Sequence, residues 1–269
     1  MQRKRFLVLP LLLVGAIVLF KFLGAEKFVN PETGRVGRVG LSEQQEDTLG
    51  LQAYEEVLST SDVVRDGPEV RQIEEVVRRL ATAAGEAGNK MEWQVSVVRS
   101  PEVNAFCLPG GKMVVYTGIL PVAETPAGLA TVLGHEMAHA TSRHGAQRMF
   151  QTDLAQTALQ GAQLSLGDAD PQTRQAILAA LGLGAKVGVI LPFSRSHESE
   201  ADEVGLRYMA RAGYDPRESV AFWERMSAQA GGANPPEFLS THPSPATRIE
   251  RLKELLPRAL EEYRGPAPR

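Results

Sequence analysis

The sequence predicts a mainly α-helical fold with a small β-sheet (α+β) behind an N-terminal membrane helix. Three observations carry that expectation. Helix formers such as Ala, Leu, Glu and Gln are plentiful while aromatic residues make up 6% of the chain, which favours helices over an extensive sheet. Two short stretches, Trp93–Val98 and Lys112–Thr117, alternate well enough to be strands. An apolar run, Phe6–Phe20, stands behind Arg3, Lys4 and Arg5. At 269 residues, 43% of them hydrophobic, the chain suits one domain or at most two.

As a helix, Phe6–Leu23 spans about 27 Å at 1.5 Å per residue, just short of a hydrocarbon core of ~30 Å, with Lys21 placed to reach the far interface. The basic cluster then stays cytoplasmic and everything after Gly24 lies outside. Residues 1–24 read as a signal anchor or, alternatively, as a cleaved signal peptide. The junction Phe22-Leu23-Gly24-Ala25 is a poor small-x-small cleavage site, which favours the anchor. Residues 25–41, with Pro31, Gly34, Gly37 and Gly40, read as a tether.

Ser42 with Gln45 resembles a capping box that starts a helix running to Leu58. A second amphipathic helix covers Pro68–Ala84. The two strands follow, joined through Asn104–Gly111 by a turn or loop around Pro109, Gly110 and Gly111. Thr125 and Pro126 open the next helix as N-cap and first helical residue, and Arg143 and His144 before Gly145 mark its end. Further helices are expected over Gly145–Leu164 and Pro171–Leu183. The apolar segment Ala176–Phe193 reads as a buried or membrane-facing helix and loop, a lid, because its glycines, Lys186 and Pro192 argue against a second span. Asp215, Pro216 and Glu218 start a helix ending near Gly231, Ser244 and Pro245 start the last one, and residues 261–269 form a tail.

The chemistry concentrates in Leu133–His144, where His135, Glu136 and His139 spell H-E-x-x-H. Residues four apart on a helix share a face, so both imidazoles reach one metal ion while Glu136 points toward a water bound on it. Zinc suits imidazole donors and lowers the pKa of such a water to about 7 when one coordination position stays open. Leu129, Val132, Leu133 and Met137 give this helix an apolar stripe beside the histidines.

Two histidines and a water leave the site incomplete, so a third protein ligand is required. His144 lies nine residues after His135, about 180° around a regular helix, and reads as a surface or helix-end residue favourable to the dipole. Ser196–Gly205 offers more. Glu198 and Asp202 share a helix face, with Glu200 on another. A Glu198 carboxylate would complete a His, His, Glu set, and Asp202 could accept the free ring N–H of a ligand histidine and fix its tautomer. Taken alone, the same acids would be an ordinary acidic first turn.

H-E-M-A-H, then E-S-E-A-D, then T-H-P-S-P-A-T-R-I-E-R-L at Thr241–Leu252 resemble metallopeptidase family forty-eight. That gluzincin group holds the CAAX prenyl protease, HtpX, Oma-type membrane proteases and periplasmic quality-control peptidases, the last most similar. The resemblance runs from Asn30 to Leu256, and Asn104–Leu120 is similar to the family's segment before the metal helix. It implies a zincin-like metallopeptidase domain over residues 42–260, with His135, His139 and Glu198 holding one Zn2+ per chain. It further implies Glu136 as general base and Asp202 as the acid behind a ligand. For His242 it implies either oxyanion stabilisation or ligation of the metal in a closed, latent state. For Arg248 it implies help in holding transition-state charge. In zinc peptidases of this architecture an edge strand receives the substrate backbone by strand addition; a plain structural hairpin is the alternative.

The expected function is therefore zinc-dependent endopeptidase action, hydrolysing peptide bonds with a metal-activated water and a Glu general base. The expected substrates are misfolded or unassembled envelope proteins. The expected location is the bacterial inner membrane, single-pass through the N-terminal helix, with the domain periplasmic or extracellular; secretion to the periplasm after signal cleavage is the alternative. Two other functions are open: a chaperone or assembly factor with a latent, His-blocked zinc site, and a binding protein with a structural metal. The net charge of −3 and pI near 6.0 give no electrostatic footprint for nucleic acid. Cys107 is the only cysteine, which excludes an intrachain disulfide and a thiolate zinc cluster.

Overall fold

A computed structural model of the chain describes residues 3–165, 172, 193–229, 236–242 and 247–265. The expected helix over Pro171–Leu183, nearly all of the Ala176–Phe193 segment, Gly231 and the Ser244–Pro245 start lie outside the described residues. The chain divides into two compact units.

One unit contains α1 (Arg3–Gly24), the hairpin of β1 (Glu26–Val29) and β2 (Val36–Val39), and α7 (His144–Ser165) from Ala146 onward. The stretch read as a tether thus holds two paired strands, Glu26 opposite Val39 and Val29 opposite Val36. A Cβ at Gly161 of α7 would stand 2.1 Å from the Val14 side chain of α1, so the close approach of these helices requires glycine there. Lys21 donates to Asp153 and Thr157 at 2.9–3.0 Å. Residues 3–24 are helical, yet among the described residues no helix is long and apolar enough to cross a membrane.

The other unit is built on a four-stranded sheet of order β3-β4-β6-β5, formed by Val63–Val64, Gln94–Val98, Lys112–Tyr116 and Ala105–Leu108 respectively. The two expected strands are β4 and β6, but they pair in parallel and so cannot be the arms of one hairpin. Their connection contains β5, which pairs antiparallel with β6 and forms one edge of the sheet. Alternation sends Val97, Met113 and Val115 into the main core, while Val98 and Val114 meet Tyr54 on the opposite face.

Tyr54 belongs to α2 (Glu43–Ser59), whose Ser42 and Gln45 form the expected capping box. On the main-core face lies α3 (Pro68–Ala83), with Ile73 and Leu80 fully buried. Two short helices, α4 (Gly85–Asn89) and α5 (Leu120–Ala123), precede α6 (Pro126–Thr141), which is capped by Thr125 as expected. Packed around α6 are α3, β5, α8 (Arg195–Arg211) and α9 (Glu218–Gln229). The short α10 (Phe238–Thr241) and the last helix, α11 (Thr247–Glu262), complete the unit.

The crossing of α6 and α8 depends on two glycines. A Cβ at Gly134 would lie 3.2 Å from the Gly205 carbonyl oxygen, and one at Gly205 would lie 3.0 Å from the Gly134 carbonyl carbon. Both neighbours are backbone, so a side chain at either position forces the helices apart.

Candidate metal centre

Gly134 immediately precedes His135, so the close crossing brings the H-E-x-x-H face of α6 onto the acidic face of α8. One ligand atom from each of His135, His139, Glu198 and His242 lies within 4.8 Å of the others, and all four residues are buried. Glu198 Oε2 is 3.5 Å from His135 Nε2, and Oε1 is 3.4 Å from His139 Nε2. The His242 Nδ1 atom lies 3.1 Å from Glu198 Oε1 and 3.3 Å from His135 Nε2. Glu198 sits in the first turn of α8, whose N-cap Ser194 accepts from the His197 N–H.

Glu136 points elsewhere. Its Oε2 accepts the backbone N–H of Cys107 on edge strand β5 at 3.2 Å. Its Oε1 is buried and accepts no hydrogen bond among the described residues, with His242 Nε2 3.4 Å away. Burial pushes the Glu136 carboxyl above the ordinary carboxylate range, against the opposing pull of the His242 and His135 charges. That suits a group that must take a proton near neutral pH. For Glu198 burial also pushes upward, but hydrogen bonds from His135, His139 and His242 prevail and hold it well below the usual range, ionised. Burial drives His139 well below the ordinary histidine value, leaving its ring neutral, the form in which imidazole ligates metal.

Asp202 Oδ1 lies 3.1 Å from His135 Nδ1, the contact expected of it. Arg248 donates to Asp202 and, through Nη1, to Glu198 at 3.1 Å. Its guanidinium sits 3.5 Å from the ring centroid of the buried Trp223. The arginine therefore stands behind the ligand atoms, on the Nδ1 side of His135, where its Nη2 lies 3.0 Å from His135 Nδ1 as well as against Asp202.

His144 is a correction. It is fully buried instead of exposed, its Nδ1 2.9 Å from His139 Nδ1 and its Nε2 2.9 Å from Glu200 Oε2. Glu200 accepts from the Thr33 hydroxyl as well. The wheel argument failed because α6 stops at Thr141: Arg143 takes φ +51°, and α7 restarts with a new phase at His144. Two further neighbours escaped the sequence reading. Trp223 carries no motif, and Phe193, whose ring stacks on His139 at 4.0 Å between centroids, lay within a segment read only as apolar.

Two observations show that the donor set fits a divalent cation. The Nε2 atoms of His135 and His139 face each other at 3.0 Å while each ring's other nitrogen has its own partner. In addition, the buried Glu198 carboxylate is held ionised against the same nitrogens, an anionic oxygen donor of the kind zinc accepts.

The model for Peptidase family M48 matches residues 69–256. The chain belongs to peptidase family M48. Among M48 relatives, it is 37% identical to the mitochondrial metalloendopeptidase OMA1 of Schizosaccharomyces pombe over 218 residues, covering 80% of this chain and 62% of that protein. It is 32% identical to OMA1 of Saccharomyces cerevisiae over 269 residues, covering 94% of this chain and 75% of the relative. To the beta-barrel assembly-enhancing protease of Escherichia coli it is 30% identical over 223 residues, covering 81% of this chain and 45% of that protein. The expected bacterial inner-membrane location, and secretion to the periplasm with it, is overturned. The first M48 relatives are mitochondrial by name, and no described helix is long and apolar enough to cross a membrane.

Proposed function

We propose that this chain is a zinc-dependent metalloendopeptidase in which His135, His139 and Glu198 hold the metal and Glu136 is the general base. The observation that carries the reading is the convergence of those ligand atoms beside a buried carboxylate with one open oxygen. A zinc ion held there would supply Lewis acidity, acidifying a water and polarising a peptide carbonyl. The residues do the rest. The Cys107 N–H fixes one Glu136 oxygen so that Oε1 faces the site, takes the proton of the attacking water and passes it to the leaving nitrogen. Asp202 accepts a hydrogen bond from the His135 Nδ1–H, which keeps the proton there and leaves Nε2 its lone pair. Arg248 acts through these groups, holding Asp202 and Glu198 in register. His242, 3.4 Å from Glu136 Oε1, is placed to donate to a developing oxyanion.

The substrates are polypeptides, and the relatives named metalloendopeptidases support internal cleavage. Misfolded or unassembled chains are the class suggested by the Escherichia coli relative, by name a protease that enhances assembly.

The Glu136→Gln variant tests the reading. It should bind zinc like wild type and lose casein cleavage by about 100-fold or more; equal cleavage by both proteins rules out the assignment of Glu136. A second reading, a chaperone or assembly factor with a latent site, is favoured by one observation: His242 Nδ1 stands among the ligand atoms. His242→Ala separates the two, raising casein cleavage if His242 blocks the metal and lowering it if His242 serves the oxyanion.

A further inference from the structure

His144 and Glu200 belong to no role assigned above, yet both are buried and both converge on a proposed ligand. Glu200 is 6% exposed and His144 0%. With Glu200 ionised and His144 neutral, one arrangement of protons fits this geometry. Glu200 Oε2 faces His144 Nε2 at 2.9 Å, and an ionised carboxylate can only accept, so Nε2 carries the hydrogen. A neutral His144 then has a bare Nδ1. That atom faces His139 Nδ1 at 2.9 Å, and two bare nitrogens repel, so His139 Nδ1 carries the hydrogen and donates. The His139 lone pair is thereby left on Nε2, the atom that points into the ligand cluster.

The surroundings keep this chain of donors in place. Thr33 donates to the second Glu200 oxygen, which prevents the carboxylate from rotating. The ring of His197 stacks on His144, centroids 4.4 Å apart and planes 22° from parallel. The corner that delivers His144 is held by Arg143, whose left-handed backbone is anchored by its guanidinium on the buried Glu46 of α2. Asp202 performs the equivalent task for His135 from the other side. The two ligand histidines are thus served by different devices, one by a carboxylate directly and one by a carboxylate through an intervening imidazole.

We propose that His144 and Glu200 are positioning residues that lock His139 in the Nδ1–H tautomer and orientation needed to ligate the metal. This rests on the metal-site reading above. Outer partners of this kind are worth about 10–100-fold in metal affinity.

The test is Zn2+ titration of the full chain against a chromophoric chelator, with wild type, Glu198→Ala, His144→Phe and His144→Gln. Phe keeps a flat ring but offers no acceptor, whereas Gln restores one. His144→Phe should bind zinc about 10–100-fold more weakly, and His144→Gln should recover most of the loss. If wild type binds no zinc, or Glu198→Ala binds it equally well, the metal site itself is wrong. If wild type binds and Glu198→Ala does not, but His144→Phe matches wild type, the tautomer lock alone fails. Wild type also decides the matter without any variant. In the zinc-loaded protein labelled with 15N-histidine, a proton on His139 Nδ1 coupled across the hydrogen bond to His144 Nδ1 supports the lock. A proton found on His144 Nδ1 overturns it.

Discussion

Gly134 and Gly205 face each other where α6 crosses α8, so near that a methyl group on either would press on the other helix's backbone at 3.0–3.2 Å. That contact sets how near the two histidines of one helix come to the acids of the other.

Gly205→Ala should therefore destabilise the protein even though alanine is the better helix former by about 1 kcal/mol. The added methyl meets backbone, and such overpacking costs about 1–3 kcal/mol net of relief. The measurement is the urea midpoint, with zinc affinity read on the same samples. A midpoint at or above the wild-type value would show that the helices separate freely.

Metal removal should be visible in stability. A ligand that binds only the folded state adds about 2.7 kcal/mol when its free concentration is one hundred times its dissociation constant. Chelator treatment should lower the melting temperature of wild type and leave Glu198→Ala unmoved, since that variant lacks the carboxylate at the centre of the ligand set. Equal shifts in both proteins would place the metal elsewhere.

Arg143→Met should cost about 3–5 kcal/mol, because it strips the buried Glu46 of its guanidinium and leaves the charge uncompensated. The loss depends on pH in a definite sense. Burial already raises the Glu46 carboxyl above its unfolded value, and only the Arg143 hydrogen bond and charge pull it back. Without Arg143 the folded-state value climbs further, so the folded variant holds a proton that the unfolded chain releases as pH rises above its ordinary carboxylate range. The variant's deficit is then smallest in acid and grows toward neutrality. Thermal melts from pH 4 to pH 8 measure it; a deficit independent of pH would mean that Glu46 is not the group left exposed to burial.

The site was legible where chemistry follows spacing within one helix, and illegible where it depends on how a helix ends. His135 and His139 on one face of α6, and Glu198 and Asp202 on one face of α8, needed only a regular helical period, and the structure brings all four together. His144 required knowing that α6 breaks at Ser142 and Arg143. A non-glycine residue at φ +51° leaves no mark in the sequence, and the Glu46 carboxylate that its guanidinium meets lies 97 positions away. The capping box at Ser42 and the Thr125–Pro126 start were readable because a cap is local chemistry. Strand β5 was not, because four residues before Pro109, Gly110 and Gly111 have too short a pattern to stand out from a loop. The hairpin of β1 and β2 was obscured in the same way by its glycines.

The proposed ligands come from places far apart in the chain, His135 and His139 from α6 and Glu198 from α8. An ion bridging them would act as a reversible cross-link, closing a long loop whose entropy the empty protein must bear alone. Loading would then govern endurance as well as turnover: starved of the ion, the enzyme would itself become a loosely held polypeptide, the class of molecule it is proposed to destroy.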